Sequence, residues 1–229
     1  QIKSPVSGKR IAGDRITMSA QLLSGTDAQT KSVLFQYKAS SDTAWLPVVP
    51  AGPAQTNGDG AAPWLLHWDV TGLTATSYDL RAVATDISDS SDTTPGVVTV
   101  VVDPAGWDVR ERLVGSLITR EEVLNNGAPQ AITGAGVGAL VTKIDLPAGS
   151  LSGSSTTISV VNATVLPAAA PEGTQDVGIS MSITLGNGQT LLSGGNSATL
   201  TFTYLDANDD GILDGTALRA QDLKLYSFD

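Results

Sequence analysis

The chain has 229 residues, enough for one large domain or for two of about 100 residues each. It has no cysteine, which excludes disulfides and thiolate-bound metal, and its net charge of −10 argues against nucleic acid and anionic membrane as partners. No apolar run approaches the roughly 20 residues that cross a bilayer as a helix, so membrane insertion is not expected. Ser and Thr supply 47 residues and Gly another 24, a composition that favours sheet joined by polar turns over helix. The chain opens on Gln1 rather than Met and shows no leader-like segment, which reads as a mature product or an excised fragment.

From the N-terminus, short segments alternate apolar and polar residues with the period of a half-buried strand. Ile2 to Pro5 forms an edge segment. "RIAGDRITMSAQLL" places Ile16, Met18, Ala20 and Leu22 on one face, and "SVLFQYKA" does the same with Val33, Phe35 and Tyr37. "AWLPVV", "WLLHWDV", "SYDLRAVATD" and "GVVTVVV" continue the pattern. Turn signals at Ser40-Ser41-Asp42, Asn57-Gly58-Asp59-Gly60 and Thr93-Thr94-Pro95-Gly96 separate them. About seven strands in about 100 residues predict an immunoglobulin-like β-sandwich over 1–103.

Within this half, Trp68, Asp69, Leu73, Tyr78, Leu80, Arg81, Ala82, Val83, Ala84, Thr85 and Asp86 stand in "WDVTGLTATSYDLRAVATD". Pro5, Gly8 and Gly13 stand in the opening, and Trp45 in "VLFQYKASSDTAWLPV". As a set these residues resemble the bacterial immunoglobulin-like surface modules (Big-type), across nearly all of 1–103. The resemblance implies a spacer, stalk or adhesive unit without catalytic residues. It also puts Tyr78 where a tyrosine corner would bond back to the chain.

Asp103-Pro104-Ala105-Gly106 breaks the strand pattern and reads as a linker to a second β-rich domain over 104–229. In "LITREEVLNNG", Thr119 and Glu122 have the spacing of a capping box and Asn126-Gly127 the character of a stop, which predicts one short helix. "AITGAGVGAL" lacks the Lys-Ser/Thr and the dinucleotide spacing of a phosphate loop and reads as a turn before a strand. Strands resume at "LVTKIDLPAGSL", "TTISVVNATVL", "VGISMSITLG", "SATLTFTYLD" and "DLKLYSF". Ile144, Pro147, Ala148, Gly149, Leu151, Ser152, Thr157, Ile158 and Val160 resemble the signature of the β-domain of ankyrins and netrin receptors. The stop after "LKLYSFD" leaves such a sandwich a strand short, which predicts a larger parent protein.

The fold expectation is therefore all-β: two β-sandwich-like domains in tandem, the first immunoglobulin-like and the second with one short helix. The acidic residues concentrate in the second half. Residues 1–103 carry 7 basic and 10 acidic groups and residues 104–229 carry 6 and 13, so the halves have net charges of −3 and −7.

"DANDDGILDG" explains much of that difference. Asp206, Asn208, Asp210 and Asp214 fall at positions 1, 3, 5 and 9 of an EF-hand-type loop, and Gly211 takes its turn position. Ile212 at position 7 would offer its backbone carbonyl, and a cage of oxygens at this spacing suits Ca²⁺. Ala217 stands where the bidentate Glu belongs, and the flanks are not helical, so an EF-hand is excluded. The set Asp206, Asn208, Asp210, Ile212 and Asp214 is a candidate Ca²⁺ site, against a solvated acidic turn.

Nothing in the sequence assembles a catalytic centre. His67 is the only histidine, read here as a surface residue of a strand, and zinc lacks a second strong ligand. Asp86, Asp89 and Asp92 could form a second, weak cation site, and Asn162-Ala163-Thr164 has the pattern of a glycosylation acceptor. Trp45 and Trp68 are expected in the core, while Trp64 and Trp107, near turns, are the candidates for stacking on glycans.

The leading expectation is a non-catalytic structural or adhesive module of a bacterial secreted or cell-surface protein, stabilised by Ca²⁺. Its partners would be other protein modules or subunits, including self-assembly through strand edges. The alternative is a carbohydrate-binding accessory region of a larger extracellular polysaccharide-degrading enzyme, with glycans as partners.

Overall fold

The computed structural model describes residues 1–51, 56–58, 60, 64–115, 117–133, 141–163, 180–203, 211–212 and 219–223. Among these residues the secondary structure is β-strand and short 3-10 turn, with no α-helix. The chain divides into two compact units, Gln1–Arg112 and Leu113–Asp229. The expected linker at 103–106 is the connection between two strands of unit 1, and the division falls beyond it.

Unit 1 is built from β1 (Ile2–Ser4), β2 (Arg10–Gly13), β3 (Arg15–Ala20), β4 (Thr30–Ala39), β5 (Leu46–Pro47), β6 (Leu65–Asp69), β7 (Ser77–Asp86), β8 (Val97–Val102) and all but the last two residues of β9 (Val109–Val114). One layer has β3 between β1 and β6, both antiparallel to it. The other runs β5-β4-β7-β8-β2-β9, antiparallel except where β2 lies parallel to both β8 and β9. Arg15↔Glu111 joins the two layers where β9 reaches β3.

The alternation in the sequence makes the core. Ile16, Met18, Leu66 and Trp68 come from one layer, and Val33, Phe35, Leu80, Ala82, Val98 and Val100 from the other. Tyr37, Trp68 and Tyr78 form an aromatic cluster, with ring centroids 5.1 Å apart for Tyr37–Trp68 and 6.0 Å for the edge-on Trp68–Tyr78 pair. The Tyr78 hydroxyl donates to the Thr74 carbonyl at 3.2 Å, as expected of a tyrosine at that corner.

The opening strand pattern splits in two at Asp14. Gly13 explains the break. It has φ +113°, and a Cβ there would lie 1.8 Å from the Glu111 carbonyl oxygen, so only glycine allows β9 to dock at this point.

Unit 2 contains β10 (Leu117–Asn125), β11 (Gln130–Thr133), β12 (Val141–Leu146), β13 (Ser155–Ala163), β14 (Ser180–Leu185) and β15 (Thr199–Thr203). β13 pairs antiparallel with β10 and β14, and β12 pairs antiparallel with β11 and β15. Leu124, Ile132, Ile144, Leu146, Leu151, Ile158 and Val160 pack together as its core.

The expected short helix of unit 2 is β10. Ile118, Arg120, Glu122 and Leu124 are buried in strict alternation, and the strand pairs with β13 from Ile118↔Asn162 to Asn125↔Ser155. Two of the inward residues are charged and bond to each other, Arg120 Nη2 to Glu122 Oε2 at 3.3 Å. They hid the period of two from the sequence, and Thr119 and Glu122 mimicked a capping box. Asn126 does stop the element, but by a different device. Its amide accepts from Leu151 N at 2.9 Å and donates to Leu151 O at 2.8 Å, as a neighbouring strand would.

Candidate functional site

The candidate Ca²⁺ loop is described at two positions. Gly211 has φ +76°, the turn conformation expected of it, and Ile212 forms an isolated antiparallel bridge with Arg219. Asp206, Asn208, Asp210 and Asp214 lie outside the described residues. Among the described residues, no group of three acidic or histidine side chains comes together as a metal cluster.

The Asp86–Asp92 loop uses its carboxylates on its own chain. Asp86 Oδ1 accepts from Ser88 N at 2.8 Å and Ser90 N at 2.9 Å, and Asp92 Oδ1 accepts from Thr94 N at 2.9 Å. Asp89 pairs with Lys31. These bonds are the short-range turns that Asp favours, and they account for the clustering without a cation.

His67 corrects the expectation of a surface residue. It is 5% exposed, on the face of β6 that it shares with the half-buried Leu65 and Asp69. Thr17 Oγ1 donates to Glu111 Oε1 at 2.7 Å and lies 2.9 Å from His67 Nδ1. Since that hydroxyl proton goes to Glu111, the oxygen accepts from Nδ1–H. Glu111 Oε2 accepts from Thr17 N at 3.1 Å, and Ser4 Oγ donates to Thr17 O at 3.2 Å. The edge of β3 at Thr17 lies between β1 and β9, and these side chains satisfy the backbone groups there.

A hydroxyl, an imidazole and a carboxylate thus meet at Thr17, His67 and Glu111. They do not form a nucleophile relay. Catalysis needs a bare imidazole nitrogen facing the hydroxyl and the acid on the other nitrogen. Here the protonated Nδ1 faces Thr17, and Glu111 approaches that same nitrogen at 3.5 Å. The cluster holds three strands together. Sequence spacing could not reveal it, because its members are far apart in the chain.

The tryptophans are also redistributed. Trp64 and Trp68 are both in the core, so Trp64 is not available to a glycan. Trp45, expected in the core, is half-buried, with the Arg81 guanidinium 4.1 Å from its ring centroid. Trp107 is half-buried as well, with Arg110 4.3 Å from its ring. Around Trp45 the sheet face is polar and internally paired: Arg81 Nε donates to Gln36 Oε1 at 2.7 Å, and Lys38 Nζ lies 3.2 Å from Asp79. Burial pushes the Asp79 carboxyl up, but hydrogen bonds from Thr99, Ser40 and Lys38 hold it below the usual range.

Asn162 is 2% exposed and sits within β13, so its amide is not presented for glycosylation in the folded chain. On unit 2, a depression of about 260 Å³ is lined by Pro129, Gln130, Asp145, Pro147 and Thr199 among others. Asp145 is paired with Lys143 at 2.8 Å. Compared with family models, curated proteins and solved structures, the chain matches none.

Proposed function

We propose that the chain is a non-catalytic structural or adhesive part of a bacterial secreted or cell-surface protein, with unit 1 an immunoglobulin-like module and unit 2 a second β-sandwich-like module. One observation carries this reading. The residues that make unit 1 resemble bacterial immunoglobulin-like modules are spent on holding the fold. Trp68, Tyr78, Leu80 and Ala82 are in the core, and the Tyr78 hydroxyl ties back to Thr74. The buried polar residues Thr17, His67 and Glu111 are likewise spent on strand edges. Chemistry of this kind yields a rigid body whose work is to space, to join or to adhere.

Ca²⁺ bound by Asp206, Asn208, Asp210, Asp214 and the Ile212 carbonyl would rigidify unit 2. A ligand that binds only the folded state stabilises it by about 2.7 kcal/mol at one hundred times its Kd. Calorimetric titration of Ca²⁺ into chelator-treated protein tests this, with Asp206→Ala/Asp210→Ala as control. Saturable binding near one equivalent, lost in the variant, supports the site. No heat and no shift in melting temperature would remove Ca²⁺ from the proposal and leave an acidic turn. Localisation of the parent protein by surface labelling of intact cells tests the setting, and a cytosolic parent would overturn it.

Glycan binding is the second reading, and the half-buried Trp45 favours it. Its ring lies beside Arg81, with Lys38 and Asp79 near by, on an outward sheet face. Retention on a polysaccharide column that disappears in Trp45→Ala would support it. Equal retention of the two proteins would sink it.

A further inference from the structure

We propose that β2, straddled by β8 and β9, is a shear clamp that lets unit 1 bear tension along the chain. The inference deepens the structural reading above and rests on it only for why the chain would carry load. Its basis is the order and direction of three strands.

β2 is parallel to β8, with Arg10↔Val101 and Ile11↔Val102, and parallel to β9, with Ile11↔Val109, Ala12↔Arg110 and Gly13↔Glu111. The connection 103–108 therefore passes over β2 from one edge to the other. Asp103 N donates to Ile11 O at 2.9 Å on leaving β8, and Asp108 N donates to Arg10 O at 2.8 Å on entering β9. The Asp103 carboxylate shapes the crossing, accepting from Ala105 N at 3.0 Å and Gly106 N at 2.9 Å. Arg10 and Asp108 fasten it: Asp108 accepts from Arg10 N at 2.9 Å, Nη2 at 3.0 Å and Nε at 3.3 Å.

Direction decides the mechanics. A pull on the N-terminal side drags β2 back toward its own start. A pull on the C-terminal side drags β9 forward. Because the two strands are parallel, they must slide past each other, and the bonds joining them are strained together rather than in turn. At the far end of the clamp Asp14 N donates to Glu111 O at 3.1 Å, and the Glu111 side chain reaches Thr17 on β3. Sliding of β9 must also withdraw a carboxylate that is fully buried. Sliding breaks the bonds from Thr17 that compensate this charge before water can replace them, which raises the barrier that forced unfolding must cross.

Single-molecule pulling of the full chain tests the clamp. The chain has no cysteine, so two introduced thiols are unique handles. Ser7→Cys with Val114→Cys, both exposed, loads β2 against β9 directly, whereas a handle at Gln1 would load the β1/β3 pair first. Asp42→Cys with Thr76→Cys loads the antiparallel pair β4/β7 at one end, the Ala39↔Tyr78 end, where bonds break one after another. The expected unfolding force is several-fold higher with the first pair than with the second. Asp108→Ala is expected to lower the first force and leave the second unchanged. Equal forces in the two directions would overturn the proposal, and so would an Asp108→Ala effect of equal size in both. If the variant fails to fold, the comparison of directions in the parent sequence still decides. Force and cellular location are separate measurements, so either proposal can fail without the other.

Discussion

In unit 1, Tyr37, Trp68 and Tyr78 meet between two layers, surrounded by Ile16, Met18, Phe35, Leu66 and Leu80. The described core of unit 2 is aliphatic and smaller, with Leu124, Ile144, Ile158 and Val160 among its members. Both units also keep charge inside. Unit 1 uses Thr17, His67 and Glu111 to complete the edge of β3, which joins three strands. Unit 2 places Arg120 and Glu122 two residues apart on one face of β10, bonded to each other. In both units the buried charge is bonded, as a low-dielectric interior requires.

Two separate cores predict that the units respond separately to damage. Trp68→Ala removes the centre of the aromatic cluster and should cost about 3–5 kcal/mol. Its melt should lose or sharply lower one transition while the other keeps its midpoint. Leu124→Ala should do the reverse, at about 2–5 kcal/mol, by emptying the core of unit 2. A common shift of both transitions in either variant would show that the units unfold as one and break the comparison.

Asn126→Ala sharpens it on a finer scale. The variant loses both amide bonds to Leu151, and removing partners of buried backbone groups costs about 1–3 kcal/mol. Denaturant unfolding should show the loss in unit 2 alone. Tyr78→Phe removes one hydroxyl bond and leaves the ring in place, so a loss of about 1 kcal/mol in unit 1 is expected. No change in midpoint would mean that the Thr74 carbonyl finds water as readily.

The smallest effect is that of acid on the clamp. The hydrogen bond from Arg10 is the main reason the Asp108 carboxyl is held below the usual carboxylate range; burial opposes the shift. Such a group contributes stability at pH above its unfolded value, and the contribution fades as pH falls through the lowered folded value. Unit 1 should therefore lose stability in that acidic window. Asp108→Asn should flatten its pH dependence there, and an unchanged slope would show that Asp108 is not a source.

Much of unit 1 was legible because its strands obey the simplest rule. β7 runs from Ser77 to Asp86, as its alternation and its flanking turns predicted, and Val33 and Phe35 point inward from β4. β10 was misread because the rule assumes that inward residues are apolar, and Arg120 and Glu122 are not. The candidate Ca²⁺ loop is a local pattern, so the sequence alone proposes its ligands. The His67 cluster is the opposite case, since Thr17, His67 and Glu111 meet only through strand pairing.

By itself, then, the sequence determined what short-range physics determines: the β character of the described residues, most strand positions in unit 1, acidic side chains at the spacing of a candidate cation site, and no thiol chemistry. Periodicity, turn propensity and side-chain chemistry act over a few residues and can be read in order. The tertiary structure alone decided which tryptophans are covered and why Gly13 must be glycine. It also decided that β2 lies parallel to two neighbours joined by a chain crossing over it. Those properties depend on residues that are distant in sequence, and their energies arise only when packing brings the partners into contact and removes water from between them.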